Sequence, residues 1–161
     1  MKSNLTQSNH QRETSGSAQD NRRGKELMIL QSAFPPDSFV WQTDGNKEWL
    51  DMGVKTQSNA VYRLKITIPS DYPYSPPAVW VVHPNPLRSH SGSVLEPSVE
   101  THTLRRDREG IQICLYYDGM VEWNPQYTLY HAVLKARAWL ECYEAHLRTG
   151  KSIYDIAGKS F

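Results

Sequence analysis

Cysteine is scarce in this sequence, and so is an excess of charge of either sign. The two cysteines, Cys114 and Cys142, are too few for a disulfide-stapled scaffold and lack the paired C-x-x-C spacing of a cysteine zinc site. Lys and Arg number 18 against 17 Asp and Glu, which gives a formal net charge of +1. Polyanions are usually bound through an excess of positive charge, so nucleic acid is not an expected partner.

Long hydrophobic runs are also missing. The longest covers residues 78–82, whereas a membrane helix needs about 20 apolar residues. The N-terminus carries no apolar core of the kind that secretory signals contain. We therefore expect a soluble, cytoplasmic protein with both thiols reduced and no membrane partner.

The first twenty residues contain almost no apolar side chains. Such a segment cannot bury enough surface to offset the entropy of ordering, so residues 1–20 are predicted to form a mobile tail and residues 21–161 the folded domain. A short amphipathic helix is predicted over residues 21–34, and Pro35 and Pro36 end it. Its apolar side chains recur at helical spacing, at Leu27, Leu30 and Phe34.

Four stretches that follow are typical of β-strands. They cover residues 39–41, 49–54, 61–68 and 78–82. Asp44, Gly45 and Asn46 form a hairpin-turn signal between the first two. The third alternates most regularly, with Tyr62, Leu64, Ile66 and Ile68 on one face, and the fourth is apolar on both faces, which favours a central position in an antiparallel sheet.

Residues 83–110 are rich in Pro, Ser, His and Arg and show no periodicity, which predicts an irregular functional loop or a mobile insertion. A short extended piece is predicted over residues 111–117. The last helix is predicted over residues 126–148, capped by Asn124 and with Pro125 at its first position. Its apolar stripe consists of Leu129, Val133, Ala136, Leu140, Tyr143 and Leu147. Thr149 and Gly150 form a helix stop.

Cys114 is the candidate nucleophile. On an extended chain its side chain points away from the apolar neighbours Ile111, Ile113 and Leu115. That orientation would expose the thiol, and a nucleophilic thiolate must be reached by its substrate. The alternative is that Cys114 fills space in the core, as buried cysteines usually do.

The remaining polar candidates have weaker patterns. Cys142 and His146 share a helix face at a metal-binding spacing, but no second pair accompanies them, so packing beside Trp139 explains Cys142. Asn124 could offer an amide to an oxyanion, although its role as a helix cap already explains it. His10 and His131 are expected to be solvated. Three histidines near the irregular segment could approach the Cys114 thiol, namely His83, His90 and His102. Three arginines are expected to lie in a solvated turn, namely Arg105, Arg106 and Arg108.

Four short motifs follow one another along the chain. They read Y-x-L-x-I-x-I-P at residues 62–69, Y-P-x-x-P-P at 72–77, G-x-x-I-C-L around Cys114 and W-x-P at 123–125. Their order resembles that of the ubiquitin-conjugating enzymes. The resemblance covers residues 25–148 and rests on the combination. After W-x-P the chain has a single long helix, and this arrangement is similar to that of the compact prokaryotic relatives in antiphage operons. The short CBASS type pairs such an enzyme with a cGAS/DncV-like nucleotidyltransferase.

The resemblance implies a UBC-like α+β fold. Its parts would be an N-terminal helix, a four-stranded antiparallel meander sheet, an active-site loop and one long C-terminal helix. It also implies that Cys114 accepts a carbonyl as a thioester and passes it to an amine, without cofactor or metal. The transferred group would be a ubiquitin-like modifier or the C-terminus of a partner protein, such as the nucleotidyltransferase, and an activating enzyme could take part. A cis peptide before Pro73 belongs to the same pattern.

The sequence departs from the eukaryotic H-P-N motif that precedes the family's cysteine. His83, Pro84 and Asn85 carry those letters but lie too far upstream, so they are interpreted as the end of a strand. His102 fits the spacing better and is the candidate motif histidine, which puts Leu104 at the position of the oxyanion-supporting Asn. Two other functions use the same residues: a non-catalytic protein-binding module on the UBC-like fold, and a thiol hydrolase in which Cys114 and His102 act on water.

Overall fold

A computed structural model describes the backbone of residues 6–116 and 123–158, and side-chain burial from residue 18 onward within them. The chain divides into two compact units, Met1–Phe34 and Pro35–Phe161. The first unit consists of helix α1, Thr6–Ala33. It begins well before the predicted start at residue 21. That residues 1–20 form a mobile tail stays a prediction, as does the assignment of residues 21–161 to one domain, and residues 1–5 lie outside the described residues.

The second unit has an antiparallel sheet with the order β1-β2-β3-β4-β6-β5. Its strands are β1 (Phe39–Asp44), β2 (Lys47–Lys55), β3 (Val61–Ile68), β4 (Ala78–His83), β5 (Thr103–Arg106) and β6 (Ile111–Ile113). The β1–β2 register pairs Asp44 with Lys47, so Gly45 and Asn46 form the tight turn that the sequence predicts. Gly45 has a φ of 59°, a conformation that favours glycine.

The four predicted strands are confirmed. Strand β3 has the predicted bounds, and Tyr62, Leu64 and Ile66 are buried on one face. Strand β4 lies between β3 and β6, and its three middle residues are buried. Its last residue, His83, pairs with Arg63, so H-P-N at residues 83–85 does end a strand.

The prediction of a four-stranded sheet is wrong, because the sheet has six strands within the described residues. Strand β5 buries only Thr103 of its four residues, so it lacks the alternation that identifies a half-buried strand. A register shift between Thr103 and Arg105 leaves Leu104 unpaired in a bulge. Strand β6 covers only three residues, too few for a periodicity to be read. The irregular segment at residues 83–110 thus contains a strand.

The long C-terminal helix α2 spans Leu129–Thr149. The prediction of Asn124 as its cap is wrong, because Thr128 is the N-cap and the Asn124 carboxamide oxygen accepts a hydrogen bond from the Gln126 N–H at 2.9 Å. Most of the predicted stripe is buried, but Leu147 is exposed. Gly150 ends the helix with a φ of 74°. A short helix that was not predicted, α3 (Ile153–Ala157), follows.

Helix α2 is tied to the sheet by a buried carboxylate. Glu144 accepts hydrogen bonds from the hydroxyls of Thr56 at 2.7 Å and Tyr62 at 3.1 Å. Buried charged groups of this kind are tolerated only when they are hydrogen-bonded. The pair of bonds therefore fixes the helix against the β2–β3 connection.

Helix α2 also holds the segment before β5. The Trp139 indole N–H donates to the Thr101 carbonyl at 3.0 Å. Leu87 and Leu95 within this segment are buried, and Arg88 pairs with Val94 in an isolated bridge. The segment is therefore packed against the domain and is not an insertion detached from it. Among the helices of the described ranges, none is long and apolar enough to span a membrane.

Candidate active site around Cys114

Cys114 lies directly after β6, where the main chain leaves the sheet. Its N–H donates a hydrogen bond to the His102 carbonyl at 2.8 Å, one step beyond the last ladder pair, Thr103 with Ile113. The two residues that the sequence singles out are thus brought together by their backbones. This bond fixes where the Cys114 main chain runs relative to the segment before β5.

The predicted exposure of Cys114 is wrong. The residue is 8 % exposed and is flanked by buried Ile113 and Leu115. Alternation applies only while the chain stays in a strand, and β6 ends at Ile113. The cysteine therefore lies at a buried turn out of the sheet, where its orientation does not follow the strand pattern.

The charge environment of the thiol contains two opposing effects. Burial raises the pKa of the Cys114 thiol above its ordinary value, because a thiolate is poorly solvated there, and the Lys135 ammonium works in the opposite direction. Burial likewise lowers the pKa of Lys135, while the Cys114 sulfur favours its charged form. The two groups therefore sense each other, although burial has the larger effect on both.

Lys135 reaches this site from α2. Its Nζ donates to the Leu115 carbonyl at 3.3 Å and lies 5.0 Å from the centre of the Tyr116 ring, within the range of a cation–π contact. Lys135 thus contacts both residues that follow Cys114. No sequence pattern marks Lys135, since a half-exposed lysine on a helix is ordinary and only the fold brings it to the thiol.

His102 has an unusual backbone and a packed ring. Its φ is 50°, in the left-handed region that is uncommon for residues other than Gly and Asn. The imidazole stacks on the Tyr154 ring of α3 with centroids 5.3 Å apart, and burial lowers its pKa. The His102 ring thus packs on α3, whereas the His102 carbonyl makes the hydrogen bond to Cys114.

Leu104, at the position that the resemblance gives to the oxyanion-supporting Asn, is 50 % exposed in the β5 bulge. An aliphatic side chain donates no hydrogen bond. Asn85 is also engaged elsewhere, since its amide donates to the Arg108 carbonyl at 2.9 Å. Neither residue supplies the amide that the family's motif provides next to the cysteine.

An aromatic cluster lies beside the site. Trp123 packs edge-on to Tyr116 at 4.9 Å and to Tyr127 at 5.7 Å. Its indole N–H donates to the Pro73 carbonyl at 2.5 Å, and the expected cis peptide between Tyr72 and Pro73 is present. The W-x-P and Y-P-x-x-P-P motifs are therefore joined directly. Residues 117–122, which include the end of the predicted extended piece, lie outside the described residues.

The other histidines have structural partners. His146 bonds to the Lys151 carbonyl through Nδ1 at 2.6 Å and accepts from the His90 N–H through Nε2 at 3.1 Å. His90 Nδ1 contacts the Leu147 carbonyl at 2.8 Å. These bonds hold both imidazoles at the end of α2.

His131 has a partner as well. It is exposed, but its Nδ1 accepts a hydrogen bond from the Thr128 N–H at 3.1 Å. This contact corrects the expectation that His131 is merely solvated, because it satisfies a free amide at the start of α2. His83 is exposed at the end of β4, and the side chain of His10 is outside those described.

The arginine trio and Cys142 complete the predicted candidates. Arg105 and Arg106 are exposed but belong to β5 rather than to a turn. Arg105 lies over the Trp80 ring at 5.0 Å, and Arg106 pairs with Glu96 at 2.9 Å. Cys142 is half-buried on α2, and its pKa is raised by burial and by Glu141. Among the described side chains, no three His, Cys, Asp or Glu residues are grouped to hold a metal ion.

Comparison with known proteins identifies a protein family. The family described as type II CBASS E2 protein matches residues 26–154. Comparisons with curated proteins and with solved structures give no match. The matched range includes Cys114, His102 and Lys135 and covers most of the chain. The chain therefore belongs to the type II CBASS E2 family.

Proposed function

We propose that this chain is a UBC-like acyltransferase of CBASS antiviral defence that carries a protein C-terminus as a thioester on Cys114. The acyl group would come from a ubiquitin-like modifier or from a partner protein such as a cGAS/DncV-like nucleotidyltransferase, and an amine would accept it. Membership of the E2 family supports this function. So does the G-x-x-I-C-L motif, whose cysteine directly follows the end of strand β6.

The observation that carries the proposal is the pairing of a thiol with a cation at one backbone turn. Cys114 is held by the hydrogen bond to the His102 carbonyl, and the Lys135 ammonium favours its thiolate. A cysteine that only filled space would need neither a fixed strand exit nor a charged neighbour.

The chemistry consists of two acyl exchanges. The Cys114 thiolate attacks the carbonyl carbon of the incoming activated C-terminus, a C–S bond forms, and the donor's leaving group departs with its electron pair. An amine then attacks the same carbon, an N–C bond forms, and the C–S bond breaks to return the thiolate, while the amine's proton passes to solvent. His102 is proposed as the motif histidine, with its carbonyl holding the Cys114 main chain.

Because Cys114 is buried, an acyl donor must first gain access to its sulfur. At 8 % exposure the free protein offers little surface to a donor. Docking of the donor protein must therefore open the site, as binding energy commonly does in enzymes that assemble their catalytic geometry on substrate binding. For the same reason, we expect Cys114 to exchange acyl groups with small thiol compounds only slowly when no donor protein is bound.

A non-catalytic binding module is the second candidate, favoured by the buried thiol and by Leu104 in place of an amide donor. In that function Cys114 is a core residue and the domain recruits a CBASS protein without transfer. A thiol hydrolase has less support, because the His102 imidazole stacks on Tyr154, and such a dyad needs its imidazole at the sulfur.

Trapping of the acyl intermediate tests the proposal. The chain is co-expressed with a candidate nucleotidyltransferase, and adducts are resolved with and without reducing agent. We expect a thiol-sensitive adduct on the wild-type chain and on Cys142→Ser, a stable ester on Cys114→Ser and a stable amide on Cys114→Lys. No adduct on the wild type, together with full phage protection by Cys114→Ala, would refute transfer and support the binding module.

A further inference from the structure

We propose that Lys135 is a positioning residue that stabilises the thiolate of Cys114, an inference that rests on the proposed thioester function. The chain lacks an amide donor at the family's motif position, where Leu104 stands. The support that α2 delivers is of another kind, a positive charge that acts on the sulfur and not an N–H donor for the oxyanion.

The contacts of Lys135 bracket the cysteine's own chain. Nζ donates to the Leu115 carbonyl at 3.3 Å and lies 5.0 Å from the centre of the Tyr116 ring. Because these are the two residues after Cys114, the ammonium is held beside the turn that carries the sulfur. Lys135 is half-buried on α2, so part of its side chain is shielded from solvent.

The cation is needed because of where the thiol lies. A buried thiolate is costly unless an opposite charge is near, and Lys135 is the group that favours the thiolate against the effect of burial. The same partial burial reduces the hydration of the ammonium, which strengthens its action at short range.

The charge acts at both stages of transfer. In the first, Lys135 raises the fraction of Cys114 present as the attacking thiolate. In the second, the amine attacks the carbonyl carbon, the C–S bond breaks, and its electron pair moves to sulfur, where the ammonium stabilises the departing thiolate. Lys135 keeps its protons throughout, and the proton of the amine passes to solvent.

The alternative to this inference is a purely structural role for Lys135. In that case Lys135 matters only because it donates to the Leu115 carbonyl, and any side chain of similar length with a donor would replace it. Glutamine has such a side chain, so Lys135→Gln keeps an N–H donor and loses the charge. Lys135→Arg keeps both the donor and the charge. Arg137 is exposed on the same helix, so Arg137→Met removes a positive charge from α2 at another position.

The pH profile of Cys114 alkylation by iodoacetamide tests the inference, measured in the full chain with the Cys142→Ser background. We expect the midpoint to rise by about one pH unit in Lys135→Gln and Lys135→Met, because a neighbouring charge typically shifts a pKa by about 1–3 units. The thiolate fraction then falls about tenfold at neutral pH. The higher nucleophilicity of the more basic thiolate recovers part, leaving alkylation about three- to fourfold slower. Lys135→Arg and Arg137→Met should keep the wild-type midpoint.

An unchanged midpoint in Lys135→Gln, or an equal shift in Arg137→Met, would overturn the inference. So would an acyl group mapped to Lys135 itself, because the residue would then be an acceptor. Alkylation needs no acyl donor, which separates the two proposals. A shifted midpoint without any thioester on the wild type refutes transfer and supports the coupling, whereas thioester formation with an unchanged midpoint does the reverse. Circular dichroism of each variant identifies any that do not fold.

Discussion

Tyr143 and Arg88 exchange two hydrogen bonds across the domain. The Tyr143 hydroxyl donates to the Arg88 carbonyl at 2.8 Å and accepts from the Arg88 N–H at 3.2 Å. One phenol thus satisfies both backbone groups of a residue in the segment between β4 and β5. The Arg88–Val94 bridge uses the backbone groups of Leu87 and Ser89, and a side chain of α2 supplies the partner for those of Arg88.

Tyr143→Phe tests that connection. The substitution keeps the ring stacked on Trp139 and removes only the hydroxyl. We expect the free energy of unfolding to fall by about 1–2 kcal/mol, since both backbone groups lose a partner but Arg88 can be rehydrated. Limited proteolysis should also cut residues 83–95 faster. Unchanged stability and unchanged cleavage would mean that the two bonds contribute nothing.

Gly110 is expected to tolerate no side chain. A Cβ atom at this position would overlap the backbone carbonyl of Val81, because β4 and β6 approach closely there. We expect Gly110→Ala to lower the free energy of unfolding by at least about 2 kcal/mol. Gly24→Ala is the control, since an added Cβ meets nothing within 4 Å in α1 and should stabilise the helix by about 0.5–1 kcal/mol. Equal melting temperatures for Gly110→Ala and the wild type would contradict the close approach.

The free energy of unfolding is expected to depend on pH through His102. Burial lowers the pKa of its imidazole below the usual 6.5, so the folded state favours the neutral ring more than the unfolded state does. This contribution is fully present above about pH 6.5 and is lost as the pH falls through the lower folded value. Asn tolerates the positive φ at this position. In His102→Asn, the midpoint of chemical unfolding should vary less with pH across that window. His83→Asn, at an exposed site, should retain the wild-type dependence, and an identical slope in both variants would be the contrary result.

The two cysteines are expected to react in the order opposite to the one that the sequence suggests. Cys114 is 8 % exposed and Cys142 is half-buried, so mild alkylation of the free, native protein should label Cys142 several-fold faster. Peptide mass mapping over time measures both rates. Denatured protein is the control and should show no large preference. Faster labelling of Cys114 in the native protein would restore the exposed thiol that strand alternation predicts.

Much of the sheet and of α2 could be predicted because their periodicity is local. The alternation from Tyr62 to Ile68 gives β3 with correct bounds, and the buried stripe of α2 follows from steps of three and four residues. Strand β5 could not be found this way, because three of its four side chains are exposed and its partner β6 has only three residues, too few to show a periodicity.

The candidate site was predictable in its residues but not in its geometry. The motif identifies Cys114, yet whether the thiol faces solvent depends on the point where β6 ends, which no local pattern marks. Lys135 is 21 positions further along the sequence and on another element, so only the fold brings its charge to the sulfur. Likewise both Asn124 and Thr128 are good caps by residue type, and only the structure shows that α2 begins after Thr128.

The bulge at Leu104 has a consequence for self-association. Strand β5 forms one edge of the sheet, and a straight edge offers free N–H and C=O groups on which a second molecule can add a strand and start aggregation. An unpaired residue between Thr103 and Arg105 breaks that regular spacing, and the charged side chains of Arg105 and Arg106 repel an identical edge. The strand beside Cys114 is thereby protected from intermolecular sheet growth.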